Sequence, residues 1–363
     1  MKMGKSIFLF SRGQGTAHAC RDMILADSLS ELDDSVEIKF VSYGEGYKTL
    51  SVLGWPCINI GIPFKEDEHD RLLKMGQALR EEKPDLVISD EELLALPLAK
   101  IFQIPSLLIT NWFPPAPNHP TMSYFADPQE IIVPDLTDSF GAPSEIKSPV
   151  HFVGPILRPI DSNLAERKKF REEFGITPEE KLILVTAGEA ESNDVDFFQR
   201  CIEVFKRLKL NAKLIAVVGE LKEELEGDMK ADGRISLREY LWQLDRYMLA
   251  SDLVIHRGGY FTLWELASVG MPSICVPRLT GDFRVQNLSY AKKMEQYGAS
   301  VVVKEERMEE ELVEQMKAIL TSQERWDEMS QAGLRICQGS GERRAAKVVL
   351  SSLGNGVAQK CHV

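Results

Sequence analysis

Two glycines, a hydroxyl and a carboxylate, at Gly258, Gly259, Thr262 and Glu265, make the densest chemical grouping in this 363-residue chain. The apolar run Leu253 to His256 reads as a buried strand, and the glycine pair turns it into a helix from about Tyr260 to Val269. A helix start of this kind offers unpaired backbone N–H groups, the positive end of a dipole and no Cβ to hold a phosphate away. It is an anion site by construction. Thr262 and Glu265, three residues apart, share one helical face a turn further on. A carboxylate there can accept two hydrogen bonds from a ribose diol. The plainer reading is that any α/β domain starts helices at glycine and that Glu265 is a solvated helix position.

The pattern His256-x-Gly258-x-x-x-Thr262-x-x-Glu265 is followed by a loop with Asp282, Gln286 and Asn287, and is flanked by Pro272, Pro277 and Gly298. It resembles the donor-binding signature of GT-B glycosyltransferases, in the branch that holds the UDP-glucuronosyltransferase-like enzymes and the lipid II synthase of peptidoglycan synthesis. The resemblance implies an α/β fold: two Rossmann-like domains of parallel sheet facing an interdomain cleft, acceptor on the first and nucleotide-sugar donor on the second. It implies that His256 contacts the α-phosphate with Arg257 adding positive charge, and that Gly258 and Gly259 receive the diphosphate. Asp282, with Gln286 or Asn287 depending on register, would hold donor-sugar hydroxyls. Gly188 and Glu189 match the first loop of the second domain, near the diphosphate; a carboxylate repels phosphate, so Glu189 is expected to face a sugar or a backbone amide.

The first loop, Gly13-x-Gly15-Thr16-x-His18, follows the first strand. It invites a dinucleotide reading, but His18 stands where close helix–strand packing wants Gly or Ala. It also resembles the Gly-rich first loop of the GT-B enzymes, with Ala17 where many relatives have Gly. Sugar transfer with inversion, which the resemblance implies, needs a base for the acceptor hydroxyl, and a neutral imidazole suits that task. His18 is expected to be that base or, alternatively, to bind acceptor or phosphate without taking a proton. A carboxylate behind the ring would fix its tautomer. Asp90 matches the position of such a residue in plant-type relatives, with Glu91 and Glu92 as neighbouring candidates. The stiff, aromatic stretch Asn111 to Pro120, beginning Asn111-Trp112, lines an acceptor pocket or is a structural connector.

GT-A enzymes use a metal on Asp-x-Asp, and a literal Asp194-x-Asp196 occurs here. It opens a helix, where Ser192, Asn193 and Asp194 read as capping residues. His69, His119, His151 and His362 lack ligand spacing. No metal and no cofactor is expected; the nucleotide-sugar is a substrate.

The elements that must position these groups alternate as strand and helix. Ser6–Phe10, Val36–Tyr43, Ile58–Ile60, Asp85–Ser89, Ser106–Thr110, Ile131–Val133 and His151–Val153 read as strands. Helices are expected at Ala19–Leu32, Arg71–Glu82 and about Glu92–Phe102. A Gly/Pro-rich stretch, Gly154 to Pro159, suits a hinge. The alternation restarts at Lys181–Thr186, continues through Val195–Lys209 and Ala212–Val218, and reaches Leu253. This divides the chain into an acceptor domain, 1–155, and a donor domain, 156–339, with a last helix, about 340–363, packing back on the first.

With a net charge of −12, 44% hydrophobic and 27% charged residues, the chain reads as globular and repels nucleic acid on average. Its six cysteines form no CxxC pair, and no apolar run is long enough to span a bilayer. A cytoplasmic protein is expected, with peripheral membrane contact left open. The expected activity is inverting transfer from a nucleoside diphosphate sugar, UDP-sugar first, to the hydroxyl of a small-molecule or lipid-linked acceptor. The alternatives are an epimerase or hydrolase of the same fold, a non-catalytic nucleotide-sugar-binding protein and, last, a dehydrogenase.

Overall fold

The computed structural model describes residues 4–61, 68–137, 141–158, 160, 164–188, 194–225, 232–239, 241, 244–278, 284–337 and 339–360. The chain forms two compact units, 1–158 with 339–363, and 159–338.

The first unit opens with β1 (Lys5–Ser11), α1 (Ala17–Leu32), β2 (Val36–Ser42), α2 (Gly44–Val52), β3 (Cys57–Asn59), α3 (Glu68–Glu82) and β4 (Leu86–Asp90). It continues through α4 (Ala95–Ile101), β5 (Ser106–Ile109), β6 (Glu130–Val133) and β7 (Val150–Phe152). The seven strands form a parallel sheet in the order β3-β2-β1-β4-β5-β6-β7. β1 shows why the sheet is covered on both sides: Ile7 and Leu9 pack under α1, while Phe8 and Phe10 pack toward α3 and α4. Side chains of a strand alternate in direction, so a continuous apolar run is buried only when both faces are covered.

The second unit comprises α5 (Leu164–Glu173), β8 (Lys181–Thr186), α6 (Val195–Arg207), β9 (Ala212–Val217), α7 (Lys222–Leu225), β10 (Ile235–Arg238), α8 (Leu244–Ala250) and β11 (Leu253–His256). α9 (Tyr260–Ser268), β12 (Ser273–Cys275), α10 (Arg284–Gln296), β13 (Ser300–Val302), α11 (Met308–Thr321) and α12 (Gln323–Ile336) follow. Its six-stranded parallel sheet has the order β10-β9-β8-β11-β12-β13. The chain then returns to the first unit as α13 (Gly341–Lys360), whose Ala345, Ala346, Val349 and Leu353 share a core with Ala19, Met23 and Ile24 of α1. No helix among the described residues is long and apolar enough to cross a membrane.

Each sheet has one place where strand order reverses. In the first it lies between β1 and β4, with Ser11 level with Asp90; in the second it lies between β8 and β11, with Thr186 level with His256. Open α/β sheets bind ligands outside the carboxyl ends of strands at such points. The expected site residues concentrate there.

Candidate functional site

In the first unit, the β1–α1 loop and the end of β4 bring His18 and Asp90 together. His18 Nδ1 stands 3.1 Å from Asp90 Oδ1, with the His18 side chain 17% and the Asp90 side chain 0% exposed. Arg21 Nη2 also lies 3.2 Å from Nδ1, but its N–H bonds to Asp90 engage it elsewhere; in the tautomer with Nδ1–H donating to Asp90, Nε2 keeps a lone pair. Behind the pair lies a residue the sequence reading did not pick out. Arg21, one helical turn after His18, donates from Nε to Asp90 Oδ2 at 2.9 Å and from Nη2 to Oδ1, and its Nη1 donates to Asn111 Oδ1 at 2.6 Å. Burial alone would push the Asp90 carboxyl up. The Arg21 guanidinium and the His18 ring outweigh it and hold Asp90 well below the ordinary carboxylate range. Asp90 therefore orients the imidazole as a permanent anion rather than taking its proton. Next to Arg21, buried Asp22 has its carboxyl pushed well above the usual range, first by burial and then by the Asp90 charge. The signal for Arg21 was present: a charged residue three positions from His18 inside an otherwise apolar helix face.

The loop itself is tight. A Cβ at Gly13 would sit 2.0 Å from the Tyr43 carbonyl oxygen, and Gly15 has φ of 69°. Thr16 precedes α1 without a side-chain cap, its carbonyl accepting from the Cys20 N–H at 3.0 Å. Trp112 packs edge-on against Phe125, ring centroids 5.6 Å apart. Glu91 occupies a left-handed backbone conformation with φ of 54°. Such a conformation costs a non-glycine residue about 1–3 kcal/mol and marks functional sites.

In the second unit, Gly258 and Gly259 have φ of 84° and 128°, and Gly259 is the N-cap of α9. A Cβ on Gly258 would meet Cys275 Sγ at 3.4 Å and Asn287 Cβ at 3.8 Å, while around Gly259 the space is open. This leaves the first-turn N–H groups of α9 accessible from the glycine side. Thr262 and Glu265 follow half-buried on α9, and Asn287 of α10 stands beside the turn. Gly188 has φ of 74° with open space at its Cβ, and its N–H donates to Thr186 Oγ1 at 3.2 Å. Glu189 and Asp282 lie outside the described residues, and for Gln286 only the backbone, part of α10, is described.

Two donor-side residues are buried within the unit. His256 is 1% exposed, and its Nδ1 accepts the Gly258 N–H at 3.1 Å. Burial pushes this imidazole down to about 3, so it is neutral and through Nδ1 it holds the Gly258 turn. Arg257 is 4% exposed, its guanidinium paired with Asp194 at 3.2 Å and Glu305 at 2.8 Å and stacked 5.0 Å from the Phe197 ring. Its charge is spent inside the unit. Asp194 stands at the N-cap of α6, as expected, but its carboxylate makes no capping bond there and instead binds Arg257 and Arg278. Among the described residues, no group of three or more His, Cys, Asp or Glu is placed to hold a metal ion.

Two parallel units of this topology are the GT-B fold. Against solved structures, the chain matches Acinetobacter baumannii MurG with a TM-score of 0.70 and 15% identity, over 96% of this chain and 99% of that one. Residues 182–349 match the model of the glycosyltransferase family 28 C-terminal domain. Over 95% of this chain and 98% of the relative, it is 25% identical to the UDP-N-acetylglucosamine--N-acetylmuramyl-(pentapeptide) pyrophosphoryl-undecaprenol N-acetylglucosamine transferase of Acetivibrio thermocellus. It is 26% identical to an uncharacterized glycosyltransferase of Methanopyrus kandleri, over 88% and 96%. The chain is thus a GT-B glycosyltransferase. It is a distant homologue of these transferases over nearly its full length. The dehydrogenase reading of the first loop falls away.

Proposed function

We propose that the protein is a metal-independent, inverting hexosyltransferase that moves a sugar from a UDP-sugar to a hydroxyl of a small-molecule or lipid-linked acceptor in the cytoplasm, in peripheral contact with the membrane when the acceptor is lipid-linked. The observation that supports it is the 3.1 Å approach of His18 Nδ1 to Asp90 Oδ1 at the end of a sheet: with the ring proton on Nδ1, Nε2 is the atom that can take a proton. The names of the relatives, which act with UDP-N-acetylglucosamine, supply the donor class.

In this reading the acceptor O–H gives its proton to His18 Nε2 while its oxygen attacks the anomeric carbon. The bond from that carbon to the β-phosphate oxygen breaks, and the nucleoside diphosphate leaves with the electron pair. The N-terminus of α9 at Gly258-Gly259 stabilises the charge left on the diphosphate. Glu265 holds the ribose diol with Thr262 beside it, Gly188 lets backbone approach the diphosphate, and Asn287 reaches the sugar. Asp282, Gln286 and Glu189 are proposed for the remaining sugar contacts.

The test is UDP release from UDP-N-acetylglucosamine and UDP-glucose in EDTA, with the product anomer read by NMR. His18→Ala should lose about 10²- to 10⁴-fold in kcat while keeping the rise in melting temperature caused by UDP. Glu265→Ala should lose that rise. Retained anomeric configuration, or a His18→Ala protein as fast as the native one, overturns the mechanism. Turnover of donor without an acceptor moves the reading to an epimerase or hydrolase.

A further inference from the structure

A second proton acceptor stands beside His18 that the transfer step does not use. Glu91 Oε1 accepts hydrogen bonds from Thr110 Oγ1 and from the Asn111 N–H, each at 3.1 Å, which pins the carboxylate. Its other oxygen, Oε2, accepts from Arg12 Nη1 at 3.4 Å, keeps a further lone pair, and lies 3.9 Å from His18 Nε2. The gap to Nε2 is too long for a hydrogen bond between the two. It is right for two acceptors standing side by side, each wanting its own O–H.

The carboxylate faces a pocket of about 490 Å³ whose other walls include Arg12, Tyr43, Arg71, Glu92, Trp112 and Tyr124. The Arg71 guanidinium lies over the Tyr43 ring at 4.8 Å. Three aromatic rings with charged groups of both signs suit a ligand that has apolar C–H faces and many hydroxyls. A long hydrocarbon would take these charged groups out of water and offer them no hydrogen bond of its own.

We infer that this pocket takes a polyhydroxylated acceptor and that Glu91 selects a vicinal diol. One hydroxyl donates to His18 Nε2 and becomes the nucleophile; its neighbour donates to Glu91 Oε2 and keeps its proton. The inference rests on the transfer reading above, since it uses Nε2 as the base.

The experiment offers methyl β-D-glucopyranoside and its four monodeoxy analogues as acceptors, with the UDP-sugar that the protein turns over. Removing the nucleophilic hydroxyl abolishes transfer. Removing its neighbour lowers kcat/KM by about 10- to 100-fold, the worth of a hydrogen bond to a charged group. In Glu91→Ala the parent glycoside falls to the level of that analogue, and the ratio between them shrinks to within about threefold. Glu91→Gln, which keeps an oxygen for Thr110 and Asn111, guards against misfolding and should give an intermediate ratio. The inference is overturned if no glucoside is used, if the neighbouring hydroxyl is immaterial, or if the ratio survives in Glu91→Ala. Transfer that persists in His18→Ala sinks the underlying reading instead.

Discussion

His18 owes its role to what is placed behind it. Asp90 is fully buried and already shared with Arg21, so the imidazole has an anion to orient it but none basic enough to take its proton. The family resemblance suggested Asp90; Arg21 was passed over, because a guanidinium near a His reads as a surface charge unless the apolar face around it is weighed. His256 is the contrasting case. Its position at the end of β11 suggested a ligand contact, yet the strand carries it into the interior. A buried imidazole shifted from the ordinary 6.5 down to about 3 must be deprotonated to fold. Its folded value is depressed, so its contribution is fully present above about pH 6.5 and is lost as pH falls toward 3. Denaturant titrations between those values should show a slope from this group of up to about 1.4 kcal/mol per pH unit, absent in His256→Asn. An unchanged slope in the variant would mean that another group titrates.

Among the elements, the turn between β11 and α9 is the most exacting. Gly258 combines a φ of 84° with neighbours at 3.4 to 3.9 Å from where a Cβ would go. Gly258→Ala should cost about 1–2 kcal/mol in stability and tilt the α9 N-terminus, so the UDP-induced rise in melting temperature should fall with it. A destabilised variant that still binds UDP fully would separate the turn from nucleotide binding. Such elements were legible where pattern and turn chemistry agree: β1, β4, β8 and β11 are dense apolar runs, and the glycine pair marks the switch. Those missed have weak local signals. α2 contains two glycines and only nine residues, β10 is a half-buried four-residue edge strand, and α5 and α12 are strongly charged. Asp194 was legible as a capping position but not as an ion-pair anchor, because the two look alike until Arg257 and Arg278 are seen to converge on it.

At the scale of the whole molecule, the first unit is built from two distant stretches of chain. α13 is tied to it by Arg344 Nε donating to the Val153 carbonyl at 2.6 Å and Lys5 Nζ donating to the Leu353 carbonyl at 2.8 Å. A chain ending at 338 should therefore show fast amide exchange in β1 and α1, while the second unit keeps its UDP-dependent protection. Slow exchange in β1 without α13 would make that helix an ornament. The same arrangement orders events in the cell. On the ribosome the whole second unit, 159–338, emerges before the helix that closes the first, so the first unit stays open while the second is made. During that interval the nascent chain offers the apolar stripe of α1 that α13 later covers, while its second unit is free to fold, so the first unit is the half more exposed to misassembly.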